Sequence, residues 1–285
     1  VNPAIECEGA PRDLGRDQGH ACGALLRERF GALPLGARVR LRLALRGGPE
    51  RALGRELARH FPREAEWLSA LASAARVPPA WLAVCLARES QASPAELAAA
   101  AGREITGAGA LVGRALAGEW IARRSRPEGA FRSVEVARPW LAHPLLGVNE
   151  AGLAVAVVGG GPARELRGGG APASGCLPAS ALALDCLQRF AALEACLEWC
   201  AGRPGERPAM LLFADSRGEV GGIEIGPGER RILRPAEGWL AVGGGPEERE
   251  RIGKALRGRR RFGAGLALAD PAAHSLRIGA ARYEI

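Results

Sequence analysis

Several things are scarce in this 285-residue chain, and each shortage closes an option. No apolar run reaches 18 residues, so no membrane-spanning helix is expected and a membrane partner is excluded. The opening Val1-Asn2-Pro3-Ala4-Ile5-Glu6 lacks a basic segment followed by an apolar stretch, which predicts a cytoplasmic protein without a secretory leader. Lys254 is the only lysine, Tyr283 the only tyrosine, and Asn2 and Asn149 the only asparagines. No Gly-x-x-x-x-Gly-Lys-Ser/Thr spacing occurs, so the Gly-rich stretch 159–175 reads as a loop and not as a phosphate cradle. The seven cysteines form no Cys-x-x-Cys pair and the four histidines no His-x-x-x-His pair. No metal and no cofactor are expected on that basis. Cys196 and Cys200, four apart, read as two small core residues of one helix face.

What is present describes a globular chain, 47% apolar and 25% charged. The net charge of +8 is carried almost entirely by arginine, dispersed along the sequence and densest at Arg257, Arg259, Arg260 and Arg261. Without a concentrated stripe and interleaved aromatics this reads as a basic surface, and no nucleic-acid partner is expected. The skew toward Ala, Gly, Arg and Pro resembles the product of a GC-rich genome.

The pattern of elements is helical first and strand-rich later. Ile5–Glu8 reads as a strand, and Asp13–Arg29 as a helix opened by Pro11 and Asp13. Leu53–His60 and Glu64–Ala75 continue the helical period, and Pro78-Pro79 starts a further helix. Ser93-Pro94-Ala95-Glu96 begins an alanine-rich stretch that ends near Gly102. Short apolar runs bounded by Gly or Pro predict strands at Ala108–Leu116, Arg132–Val136, Gly152–Val158, Met210–Ala214, Gly221–Ile225, Trp239–Val242, Leu266–Ala269 and Ser275–Ile278. Pro178–Cys200 reads as an amphipathic helical region holding a helical pair, and Asp215-Ser216-Arg217-Gly218 as a hairpin turn. The six tryptophans read mostly as core residues, and Asp270 with His274 as turn residues around Pro271. Arg88 and Glu89 read as a structural ion pair. This order of elements predicts an α+β or layered arrangement.

Five blocks, in order, resemble the acyl-coenzyme A:6-aminopenicillanic-acid acyltransferase-like cysteine peptidase family of N-terminal-nucleophile hydrolases. They are Cys7–Gly19, Trp67–Glu89, Leu146–Val155, Gly175-Cys176-Leu177-Pro178 with the helix to Cys200, and Ala214–Gly218 with Gly222-Ile223-Glu224. The resemblance implies a four-layer αββα sandwich, with residues 1–102 as a helical, pro-segment-like region packed on a core of residues 103–285. It also implies a precursor that cuts itself, a new N-terminal cysteine whose own amine is the base, and an oxyanion hole built partly by an asparagine. Substrates would be amides or acyl donors of small molecules.

At the positions carrying that chemistry the sequence departs from the family. Counting back from Ala115-Leu116-Ala117-Gly118 places Glu104 where the nucleophilic cysteine stands, and no cysteine lies between Cys85 and Cys176. The family's Asn-Trp-Asp reads Glu119-Trp120-Ile121 here, and its Thr-Asn-His reads Val242-Gly243-Gly244-Gly245. Two expectations follow. One is an inactive homologue that binds a small acyl or amide ligand or a partner protein. The other is an active amidase or acyltransferase that uses Thr106, two residues past Glu104, as a displaced nucleophile. Cys176 reads as a loop thiol. The oligomeric state is left open.

Overall fold

The computed structural model of the protein describes residues 4–43, 49–89, 97–107, 109–159, 177–205, 209–226, 228–258 and 266–285. The chain starts with strand β1 (Ile5–Gly9), then runs through α1 (Pro11–Gly31), α2 (Leu35–Arg42), α3 (Pro49–His60), α4 (Pro62–Ala75) and α5 (Pro79–Glu89). Next come β2 (Leu97–Ala101), the short α6 (Arg103–Thr106), β3 (Leu111–Ala115), β4 (Ile121–Pro127), β5 (Ser133–Ala137), β6 (Pro144–Asn149) and β7 (Leu153–Gly159). A 3-10 turn (Ala179–Ala181) leads into α7 (Leu182–Arg189) and α8 (Leu193–Ala201). The last part holds β8 (Ala209–Asp215), β9 (Val220–Gly226), β10 (Glu229–Leu233), β11 (Trp239–Gly243), α9 (Pro246–Gly258), β12 (Leu266–Asp270), β13 (Ser275–Ile278) and β14 (Ala281–Glu284).

The strands make two sheets. The larger has the order β1-β4-β5-β6-β7-β8-β9-β10, and the smaller β11-β2-β3-β12-β13-β14. Only the β1–β4 pairing is parallel; every other paired neighbour is antiparallel. Strand alternation sorts the side chains into three layers. Val134, Val136, Leu146, Val148, Ala154, Ala156, Leu212 and Ala214 of the large sheet meet Ala98, Ala100, Val112, Ala267 and Ala269 of the small one. Val155, Val157, Leu211, Phe213, Ile223 and Ile225 face the other way, onto a layer built from α1, α4, α5, α7 and α8. Leu97, Ala99, Leu111 and Leu268 face Ile252 and Leu256 of α9. The result is the expected αββα sandwich with a helical N-terminal region. Residues 1–102 also place one strand in each sheet, β1 in the large and β2 in the small.

One local outcome differs from the pattern in the sequence. The alanine-rich stretch contains a strand, although alanine is the best intrinsic helix former. All five residues of β2 are buried, alternately between the sheets and under α9. Packing on both faces overrides propensity there. The helical pair expected over 178–200 is α7 and α8, separated where Phe190 and Ala192 are extended. Two turn residues hold that division. The buried Asn149 side chain donates to the carbonyls of Leu187 and Phe190, both at 2.8 Å, and accepts from the Leu153 N–H. Asp215, also buried, accepts from the Leu193 N–H at the start of α8. Each therefore satisfies backbone groups that a helix end leaves open. Strands β4, β10 and β14 carry charged residues and were not evident as apolar runs. Of the tryptophans, Trp67, Trp81 and Trp140 are buried, whereas Trp120 lies exposed. No helix among the described residues is long and apolar enough to cross a membrane.

Candidate functional site

The sandwich has two ends, and the residues singled out by sequence divide between them. One end is closed by short connections. The β6–β7 turn at Asn149–Gly152 touches the β8–β9 turn through Ser216 N–H, which donates to Gly152 O at 2.8 Å. The β2–β3 connection joins them: Gly102 N–H donates to Gly238 O at 2.8 Å and Arg103 N–H to Gly218 O at 3.3 Å. Glycine is required at 218, where φ is +94° and a Cβ would lie 2.8 Å from that of Arg103.

Glu104 and Thr106 sit in this connection. The strand that opens the small sheet begins at Leu97, and residues 103–106 form one turn of helix, α6, beyond its far end. Glu104 is exposed. Thr106 is buried, its hydroxyl donating to Gly109 O and accepting from Gly109 N–H at 3.3 Å. Gly107, left-handed at φ 74°, ends the turn. Val242–Gly245 lies at the opposite end of the sandwich, because β11 runs antiparallel to β2 and pairs Gly243 with Leu97 and Trp239 with Ala101. The structure thus does not bring Glu104 and Thr106 together with the segment matched to the oxyanion element. Five strand residues separate them, roughly 15 Å.

At the other end β2 begins and β7 finishes. Leu97, Ala98, Arg114, Gly243 and the last residues of β7 gather there. Leu97–Ala101 carries one leucine and four alanines, so β2 offers no hydroxyl, thiol or carboxylate. A buried charged group at this end is Arg114, paired in register with Ala98 and 2% exposed, while Glu248 and Arg249 of α9 bond to the backbone of Gly245 and Gly243. Its Nε–H donates to Val157 O across the sheet interface at 2.5 Å, and Nη1 donates to Ala115 O at 3.2 Å. Sequence reading passed over this residue. The available signal was a single arginine inside the otherwise apolar run from Ala108 to Leu116.

A second polar constellation lies on the outer face of the large sheet. Arg123 and Glu135, both fully buried, form an ion pair through Arg123 Nε at 2.9 Å and through Nη2. Arg123 also donates to Gln18 Oε1 at 2.7 Å and stacks over Trp67 at 4.4 Å, and Trp67 donates to the same Gln18 oxygen at 2.9 Å. Gln18 in turn donates to the carbonyls of Pro139 and Leu141. Glu64 and His143 make a neighbouring buried pair at 2.7 Å. These contacts tie α1 and α4 to the sheet, which is the work of a structural network, although the buried Glu64 Oε2 has no hydrogen-bond partner among the described residues. Burial pushes the Cys7 thiol up to about 12 and the Cys22 thiol to about 11, despite the nearby Arg123. Neither is a nucleophile near neutral pH.

The remaining sequence candidates have plain placements. Asp270 accepts from Ala273 N–H, and His274 has φ +45° with Nδ1 3.4 Å from Asn149 O, so both build a turn. Glu224 pairs with Arg231 on the adjacent strand. Cys196 and Cys200 are buried on one face of α8 as expected, but Cys186 of α7 joins them, a meeting that sequence spacing did not reveal. Cys176, the 160–175 stretch, Arg259–Arg261 and the side chains of Arg88, Glu89 and Arg257 lie outside the described residues.

No family description and no curated protein matches the chain. Among solved structures it is similar to penicillin V acylase from Agrobacterium tumefaciens, with 16% identity and a TM-score of 0.36 over 55% of each chain. It is also similar to two variant structures of conjugated bile acid hydrolase from Clostridium perfringens. One has 10% identity and a TM-score of 0.36, over 66% of this chain and 63% of that one. The other has 12% identity and the same TM-score of 0.36, over 59% of both. The chain therefore spans 55–63% of the length of these structures. The fold stands on the sheets and helices described above, not on these likenesses.

Proposed function

We propose that this chain uses the αββα scaffold without self-cleavage, as a binding protein for small acylated amides that carry a carboxylate. The observation that carries the reading is the composition of the end at which β2 begins. The strand that opens the small sheet there supplies only Leu and Ala, and beside it stands the buried guanidinium of Arg114. A nucleophile is needed to form an acyl intermediate. A guanidinium, by contrast, binds carboxylates and carbonyl oxygens through several fixed N–H donors and loses no proton near pH 7. The placement of Thr106 supports the same reading, since its hydroxyl is engaged with Gly109 inside the chain at the closed end.

The test is the intact mass of the freshly purified full chain, followed over days at neutral pH. One species with the mass of all 285 residues is expected. Two complementary fragments divided anywhere between residues 89 and 106 would overturn the reading. A division before Thr106 would establish the displaced nucleophile. A division before Ser90 or Ser93, both outside the described residues, would place the nucleophile ahead of β2.

A further inference from the structure

Three cysteine sulfurs meet in the helical layer over the large sheet. Cys186 comes from α7, and Cys196 and Cys200 from α8, where a spacing of four residues places both on one face. Their Sγ atoms all lie within 4.8 Å of one another, and Cys186 and Cys200 are 3.4 Å apart. All three side chains are fully buried. Nothing in the proposed binding role uses them: the cluster lies on the helix-facing side of the large sheet, whereas Arg114 lies between the sheets.

We infer that Cys186, Cys196 and Cys200 form a three-thiolate site for a thiophilic d10 cation, Zn(II) in the first instance. Geometry is the first argument. Zn–S bonds of about 2.3 Å put the sulfurs of a tetrahedral site about 3.8 Å apart, within the spread present here. Ligand chemistry is the second. Three thiolates without a hard oxygen ligand select soft cations over Mg(II) or Ca(II). Electrostatics is the third. Three thiolates and one Zn(II) leave a single negative charge, and Arg203 lies close enough to act on the Cys200 sulfur. Binding one Zn(II) to the three cysteines forms three Zn–S bonds and releases their thiol protons to solvent. The cation would pin α7 to α8 across the extended residues Phe190–Ala192 that separate them.

The experiment is titration of the reduced full chain with Zn(II), and separately with Cd(II), read by native mass spectrometry and by near-ultraviolet thiolate-to-cadmium absorption. One cation per chain is expected, with protons released on Zn(II) binding in weakly buffered solution. Replacement of Cys186, Cys196 or Cys200 by alanine is expected to weaken Cd(II) binding at least tenfold, whereas Cys7→Ala leaves it within twofold. Where a cluster variant fails to fold, the wild-type chain decides: bound Cd(II) must protect these three cysteines from alkylation on brief unfolding, as read by peptide mass. No retained cation would overturn the site. So would a cation held with these cysteines unprotected, or a Cys186–Cys200 disulfide that persists in the reduced chain, seen as a loss of two hydrogens.

Discussion

Asp185 is the residue next to the cysteine cluster, and its ionisation is worked against by its surroundings. It lies half-buried in the first turns of α7, and burial raises its carboxyl above the ordinary carboxylate range, against the opposing pull of Arg189. An acid whose folded pKa is raised stabilises the fold relative to its charged state at low pH. That contribution is fully present below the unfolded value, about 3.9, and is lost as pH rises through the folded value. Asp185→Asn removes the ionisation. The variant is therefore expected to unfold at a higher urea concentration than the parent at pH 7, with the gain vanishing by pH 3. A gain of equal size at both pH values would mean that shape, not charge, produces it. Asn149 and Asp215 show the complementary lesson. Asp215 stood out in the sequence as a turn residue, and both residues open turns. That each also holds an end of α7 or α8 depends on contacts about 40 and 20 residues away, which no local pattern contains.

Helices α1 and α4 owe their close approach to missing side chains. Gly15, Gly19 and Gly23 recur every four residues along one face of α1. A Cβ on Gly15 would lie 2.2 Å from Trp67 O, and one on Gly19 would lie 2.6 Å from the Ala74 Cβ and 2.8 Å from Leu71 O. The carbonyls in these contacts belong to the α4 backbone and cannot yield without moving the helix. Gly15→Ala gains about 1 kcal/mol of intrinsic helix propensity. It is nevertheless expected to destabilise the protein by about 1–3 kcal/mol net, because overpacking at a fixed backbone outweighs propensity. Gly54 of α3 is the control, since a Cβ there meets nothing within 4 Å. Gly54→Ala should stabilise by about 0.5–1 kcal/mol. Urea denaturation of the two variants reads both signs, and equal effects would refute the packing argument. At this scale the sequence was largely legible. Periodicity located α1, α3, α4 and α5, and alternation located most inner strands, because those elements bury one clear face. The strand β2 was hidden by its alanines, whose preference for strand comes wholly from the two layers that enclose it.

For the whole molecule, the layered order could be read from the succession of elements, but the location of the candidate site could not. Counting along the chain from Ala115–Gly118 assumes an uninterrupted strand, and α6 breaks that assumption by taking up residues 103–106 at the closed end. The antiparallel register of β2 with β3 and β11 then puts Ala98, Arg114 and Gly243 together at the opposite end. Arg114 is where scaffold and binding can be separated. Removing one partner of a buried charged contact leaves the remaining groups unpaired and costs stability. Arg114→Leu strips the donor from Val157 O and Ala115 O and is expected to lower the melting temperature of the parent. A ligand that binds only the folded state raises that temperature, by about 2.7 kcal/mol of added stability at a hundred times its dissociation constant. N-acetylglycine, N-hexanoylglycine and N-phenylacetylglycine present an amide and a carboxylate with acyl groups of increasing size. At least one of them is expected to raise the melting temperature of the parent and to leave that of Arg114→Leu unmoved. A shift retained in full by the folded variant would remove the guanidinium from the binding role and leave it as part of the sandwich alone.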